Sequence, residues 1–191
     1  MSDIIQAYTK LTTTDFSKTG TGAVSNMTNS VLMTDPSAGS AWDFTILVKA
    51  VPTAPYSFTV HCVNYQTYAT YQAFGICLKD SASGKLISFN CTTGGAINTN
   101  YIRTKRMTNE TTDYGDYTLT SNIYYTPNWF RYVDNNTNRY SYLSRDGINW
   151  IQFDTQSRTD FITPNQIGIC INPYSQSSAC LFDHFKVDYS G

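Results

Sequence analysis

Residues 140–153 read YSYLSRDGINWIQF: Arg145-Asp146-Gly147 sits between two runs dense in aromatic and aliphatic side chains. Two readings compete, a reaction centre built on the Asp146 carboxylate or the bend of a β-hairpin. Asp-Gly between alternating runs is a strong hairpin signal, because a tight turn needs residues that tolerate positive φ. Asp146 is then expected to accept hydrogen bonds from the turn backbone, and Gly147 to supply the left-handed conformation. Tyr142 and Trp150 are expected to pack across the paired strands. The hairpin accounts for every residue of the turn, so function has to be sought elsewhere in the chain.

Outward from this turn the dominant period is two. Trp42, Phe44, Ile46 and Val48 fall on one face of a run, as do Tyr56, Phe58, Val60 and Cys62 in the next. Further runs follow at 74–79, 85–91, 128–133, 139–144, 148–153, 166–172 and 179–189, separated by Gly, Pro, Asn and Asp clusters. Ten to twelve short strands at this spacing predict an all-β antiparallel sandwich or barrel. FGICL (74–78) and IGICI (167–171) are nearly the same string and read as inner strands in facing or adjacent positions. A glycine inside each marks close approach of a neighbouring backbone. Helical signal is confined to residues 3–11, so residues 1–14 are either a first strand or an arm that docks on a partner chain. Segment 17–41 is expected to wander over one edge with a single short strand around Val31-Leu32-Met33. Residues 15–191 form one domain in this reading.

Only 14% of the 191 residues are charged, well below the roughly 25% of an ordinary domain. The polar surface must come from Thr, Ser, Asn, Gln and the 15 tyrosines, which suits neutral polar partners. A net charge of −1 gives no field to draw in nucleic acid. The one basic cluster, Arg103-Thr-Lys105-Arg106, reads as a solvated loop. No apolar run reaches the length of a membrane helix, and the opening MSDIIQAYTK is not a secretory signal. Five widely spaced cysteines without a CxxC pair read as reduced thiols of a protein made in a cytoplasm.

Five aspartates stand in turn contexts: Asp80, Asp113, Asp116, Asp134 and Asp146. Asp113-Tyr-Gly-Asp116 lacks the ligand density of a calcium loop, and neither a metal nor a cofactor is expected. His61 and His184 lie in expected strands, with Asp183 beside His184 aimed at the opposite face, so both read as structural. The aromatic loops are more informative. Tyr65, Tyr68 and Tyr71 lie in NYQTYATYQ, Tyr114 and Tyr117 in DYGDY, and Tyr124 and Tyr125 in IYYT. Sugar C–H faces stack on such rings while neighbouring amides and hydroxyls bind sugar hydroxyls. The same residues also serve in cores or protein interfaces.

From Trp129 onward a pattern emerges: Trp129-Phe130-Arg131, then Ser144-Arg-Asp146-Gly147-Ile-Asn-Trp150, then Ile167-Gly168-Ile169 and Phe182-Asp183-His184-Phe185-Lys186-Val187. It resembles the closing half of concanavalin A-like lectin/glucanase domains, especially the laminin-G-like branch and the domain at the C-terminus of some β-xylosidases. The resemblance implies a jelly roll of two curved antiparallel sheets whose concave face and rim loops often bind glycans. Hydrolases of that superfamily carry an alternating E-x-D-x-E on one strand; here Glu110 stands in the polar loop NETTDYGD, so no enzyme is expected. The composition also resembles virion proteins of tailed bacteriophages. The expectation is a non-enzymatic virion surface module whose partners are surface glycans, other virion subunits or further copies of itself. A purely architectural decoration protein and a glycoside hydrolase with displaced acids are the alternatives.

Overall fold

The alternation in the sequence becomes strand after strand. The computed structural model describes residues 13–36, 39, 41–65, 71–94, 100–123 and 125–189. After a 3-10 turn at Thr13–Asp15 come β1 Ser17–Thr19, β2 Ala23–Asn26, β3 Val31–Asp35, β4 Thr45–Ala50 and β5 Tyr56–Asn64. They are followed by β6 Ala73–Lys79, β7 Leu86–Thr93, β8 Asn100–Met107, β9 Asp113–Ile123 and β10 Trp129–Asp134. The last four are β11 Asn138–Ser144, β12 Ile151–Ser157, β13 Gln166–Asn172 and β14 Ser178–Tyr189. Two antiparallel sheets of seven strands result, ordered β1-β4-β13-β6-β7-β8-β9 and β12-β11-β10-β5-β14-β3-β2. The chain is the expected all-β jelly-roll sandwich.

The core lies between the sheets, where Leu47, Ile76, Phe89 and Ile169 of the first meet Phe58, Val60, Phe130 and Phe182 of the second. Phe130 presents its edge to Phe74 and Phe89, at centroid distances of 5.9 and 5.5 Å. The first sheet is apolar on its outer face too, where Phe44, Ile46, Val48, Cys77, Leu86, Met107 and Cys170 form a second buried cluster. Its cover comes from two connections. Phe44 N donates to the Glu110 carbonyl at 2.9 Å, although β4 and β8 are four strands apart in the sheet. At about 4.8 Å per strand, that bond can close only across the face of the sheet. Ionic contact between Lys79 and Glu110 fastens the same turn.

The two near-identical strings are indeed neighbours: β13 pairs with β6, with Gly168 opposite Cys77 and Cys170 opposite Gly75. A Cβ on Gly168 would overlap the Leu47 carbonyl oxygen, and one on Gly75 that of Phe89. All five cysteines are free and buried.

The opening turn behaves as its chemistry requires. Gly147 has φ of 74°. Asp146 accepts from the Ser144 hydroxyl (2.9 Å), from Ile148 N (2.9 Å), and from Asn149 N (2.8 Å) and Nδ2 (2.7 Å). The connection is longer than expected, because β12 begins only at Ile151. Tyr142 therefore faces Gln152, and the expected Tyr142–Trp150 packing is replaced by the Arg131 guanidinium lying 3.9 Å from the Trp150 ring. Trp150 Nε1 donates back to the Gly147 carbonyl, which folds the ring over Arg131 instead of across the hairpin.

Two other expectations are corrected. Fourteen strands among the described residues replace ten to twelve. Segment 17–41 holds three of them: β1 and β2 close one edge of each sheet, and β3 is an inner strand. The helical reading of residues 3–11, and with it most of the N-terminal arm, falls outside the described residues.

Two predictions follow from these contacts. Gly168→Ala should cost about 3 kcal/mol in urea unfolding, since only backbone movement can relieve the overlap. The Asn149 and Ile148 donors and the Ser144 hydroxyl hold the Asp146 carboxyl well below the usual carboxylate range. A depressed folded pKa contributes stability above the unfolded value near 4 and loses it as pH falls. Asp146→Asn should therefore lower the melting temperature at pH 7, and the difference from wild type should shrink below about pH 4.

Candidate functional site

Four aromatic residues from four separate stretches of the chain meet at one end of the first sheet. Trp42 precedes β4, Tyr71 precedes β6, Tyr101 is the second residue of β8 and Tyr174 follows β13. Register brings these ends together, with Asn172 beside Ala73, Ala73 beside Thr92, and Thr92 beside Tyr101. Trp42 lies 5.5 Å from Tyr174 and 6.3 Å from Tyr71. Tyr71 in turn meets Tyr174 at 5.1 Å and Tyr101 at 6.3 Å. All four are half-buried. Tyr71 and Tyr174 hold φ of 63° and 49°, strained values for residues with a Cβ, of the kind that concentrates at functional sites. Asn172 fixes the loops by accepting from Asp43 N (2.7 Å) and donating to the Tyr71 carbonyl (3.0 Å).

Beneath the rings the sheet is polar. The Arg103 guanidinium lies 5.3, 5.5 and 5.7 Å from the rings of Trp42, Tyr101 and Tyr71, and Lys105 Nζ lies 4.4 Å from Trp42. Asp113 bonds Lys105 at 2.7 Å, while Asp116 stands 3.6 Å from Lys105 and 3.8 Å from Arg103. The side chains of Arg103 and Lys105 are only 6% and 3% exposed, and Arg103 Nε has no hydrogen-bond partner among the described residues. On β7 a buried relay runs from Thr92 Oγ1 to Asn90 Oδ1 (2.6 Å) and from Asn90 Nδ2 to Ser88 Oγ (2.7 Å). The site thus offers aromatic faces at its rim over amide, hydroxyl and guanidinium groups already held in place.

The basic cluster is therefore no solvated loop. Strand alternation places Arg103 and Lys105 on the outer face of β8, and sends Arg106 to the other. Asp113 and Asp116 likewise stand on β9 beside Lys105 and Arg103, so the DYGDY stretch is a strand and not the expected loop.

The tyrosines singled out in the sequence disperse. Only Tyr71 joins the cluster. Tyr65 is 59% exposed and lines a cleft of about 400 Å³ with Thr21, Thr34, Asp35, Ser177 and Ser178. There the Thr21 hydroxyl lies 3.0 Å from Asp35 and 3.2 Å from Asp43, and burial raises the Asp35 pKa. Tyr114 and Tyr117 gather at the opposite end of β8, and Tyr125 lies under Arg145 at 5.1 Å. Tyr68 and Tyr124 lie outside the described residues. Trp42, Tyr101, Tyr174 and Arg103 belong to the cluster although the tyrosine-rich stretches do not point to them; the signal in the sequence is aromatic residues at or beside strand ends.

The histidines also come closer than alternation allows. A bulge between Phe182 and His184 turns Asp183 toward His61, whose Nδ1 lies 2.5 Å from Asp183 Oδ1. Trp129 packs against both rings, 4.5 Å from His61 and 5.2 Å from His184.

No family model and no curated protein matches this sequence. The fold is widely shared among solved structures. The lumenal domain of VIP36, in a form bound to Ca²⁺ and Man3GlcNAc, aligns with a TM-score of 0.62 at 10% identity, covering 91% of this chain and 84% of that one. GH43B of the Bacteroides ovatus xyloglucan PUL gives 0.64 at 10% identity; this chain is 96% covered but spans only 38% of that protein. The CBM2 module of the evolved Dit of Lactobacillus casei BL23 phage J-1 gives 0.59 at 12% identity, covering 89% and 82%. The likeness is to lectin-like and glycoside hydrolase family 43 sandwich domains, as the resemblance implied.

Lys105 lies within ion-pair distance of two carboxylates, one of them shared with Arg103. Lys105→Met should cost about 2 kcal/mol in chemical unfolding, less than a fully buried pair because Asp113 and Asp116 stay partly hydrated. Arg103→Met, which loses a longer contact, should cost less.

Proposed function

We propose that this chain is a non-enzymatic glycan-binding module and that the Trp42–Tyr71–Tyr101–Tyr174 cluster is its binding surface. The observation that carries this reading is the convergence of four partly exposed rings over fixed polar groups. An apolar sugar face can stack there, on rings that the buried Arg103 and Asn172 hold in place. Pre-set loops support it further, since a site that is already ordered loses less entropy on binding. The lectin-like sandwich agrees with this use but does not require it. The tyrosine- and amide-rich, weakly charged surface, together with the likeness to a phage Dit module, supports a place on a virion surface, with other virion subunits as further partners.

A hydrolase reading has one observation in its favour, the pair Asp35 and Asp43 around the Thr21 hydroxyl, with Asp35 made a weaker acid by burial. The other acids near the aromatic cluster are neutralised by Lys105. If this pair were catalytic, the protein would release reducing sugar from polysaccharides and Asp35→Asn would abolish the release. We expect no turnover.

A glycan array with the intact protein should give discrete positives. Tyr174→Ala and Tyr101→Ala should weaken the best of them about tenfold or more, at unchanged melting temperature. A blank array would defeat the proposal and leave the architectural role.

A further inference from the structure

At the opposite end of β8 a second group of aromatic residues surrounds two cations. Tyr114 of β9 and Phe161 of the β12–β13 loop meet at a centroid distance of 4.9 Å, and Tyr114 is 58% exposed. The Arg106 guanidinium lies 4.9 Å from Tyr114, 4.3 Å from Tyr117 and 5.9 Å from Phe161. Lys85 Nζ, just ahead of β7, lies 5.0 Å from the Phe161 ring. Neither cation forms an ion pair with a carboxylate among the described residues. Arg106 spends one Nη2 donor on the Asp116 carbonyl at 3.3 Å, and its buried Nε has no partner. The acids nearby are few: Asp160 beside Tyr117 and Asp80 near Lys85, and Asp80 is already engaged by Ala82 N and the Ser83 hydroxyl.

The platform is held rather than loose. Arg139 Nη2 donates to the Asp160 carbonyl at 2.6 Å and its Nε to the Ser157 carbonyl at 3.2 Å, while Ile162 N donates to the Asp160 carbonyl at 2.8 Å. Within this frame Phe161 is kept at φ of 65°, a conformation that a phenylalanine adopts only under constraint. In a chain with so few charges, two cations without acid partners beside an exposed tyrosine and a half-buried phenylalanine are out of proportion. Their chemistry asks for an anion on a flat, partly apolar body.

We propose that Lys85, Arg106, Tyr114 and Phe161 form a second binding site, for an anionic saccharide unit. Its carboxylate or sulfate meets the Lys85 ammonium within the field of the Arg106 guanidinium, and its ring lies on Tyr114. This site is separate from the Trp42 cluster at the other end of the sheet, and it does not need that cluster to bind anything.

The test is isothermal titration of the intact protein with an oligogalacturonate, a sulfated heparin-derived oligosaccharide and a neutral oligosaccharide of equal length. Binding of at least one anionic ligand, weakened by added NaCl, is expected. Lys85→Gln and Tyr114→Ala, both at solvent-reached positions, should each reduce it about tenfold, and Tyr174→Ala should leave it unchanged. A preference between carboxylate and sulfate would identify which anion the site reads. The proposal is overturned if neither anionic ligand binds, if both variants bind as wild type does, or if inorganic sulfate at equal concentration displaces the saccharide. Loss of anionic binding in Tyr174→Ala, with Lys85→Gln unaffected, would move the ligand to the Trp42 cluster and overturn it as well.

Discussion

The first sheet buries apolar side chains on both faces, and that single constraint organises the molecule. A sandwich buries one face of each sheet against the other and leaves the outer faces to water. Here Phe44, Ile46, Leu86, Met107 and their neighbours on the outer face need a cover of their own. The chain supplies it from two connections that arch over the sheet and meet at the Phe44–Glu110 bond. Gly75 and Gly168 let the underlying strands approach closely enough for the floor to stay smooth. Since the middle of the face is filled, only its end remains available, and there the four rings of the Trp42 cluster stand.

Electrostatics follow from the same burial. Lys105 and Arg103 enter the covered face from β8, and Asp113 and Asp116 from β9 accompany them. The acids are taken up in holding these cations, which leaves little for acid–base chemistry there. A face whose polar groups are fixed against one another is better at recognising a shape than at moving a proton.

The fold was legible in the chain because its signals are local. Alternation located most strands but not β1, β2, β8 or β9, whose polar and charged residues read as loop, and the doubled FGICL and IGICI strings announced the β6–β13 pair. Asp146 and Gly147 declared their turn, yet not its length, since Trp150 folds back on Arg131 through a contact with another strand. The site was harder to read, because it is assembled from strand ends. Trp42, Tyr71, Tyr101 and Tyr174 are far apart in sequence and meet only through register. Tyrosine-rich loops such as DYGDY attract attention in the sequence, but Tyr114 and Tyr117 were drawn to a different end of the sheet. The RTKR string hid its role for a related reason: neighbours along a strand face opposite ways, so one cluster in sequence became two environments in space.

The arched cover has a consequence for how the protein responds to a ligand. Trp42, which stacks on Phe44 inside the cover, is also part of the aromatic rim. A molecule bound to this rim would touch the cover itself, so its binding would oppose local opening there by mass action.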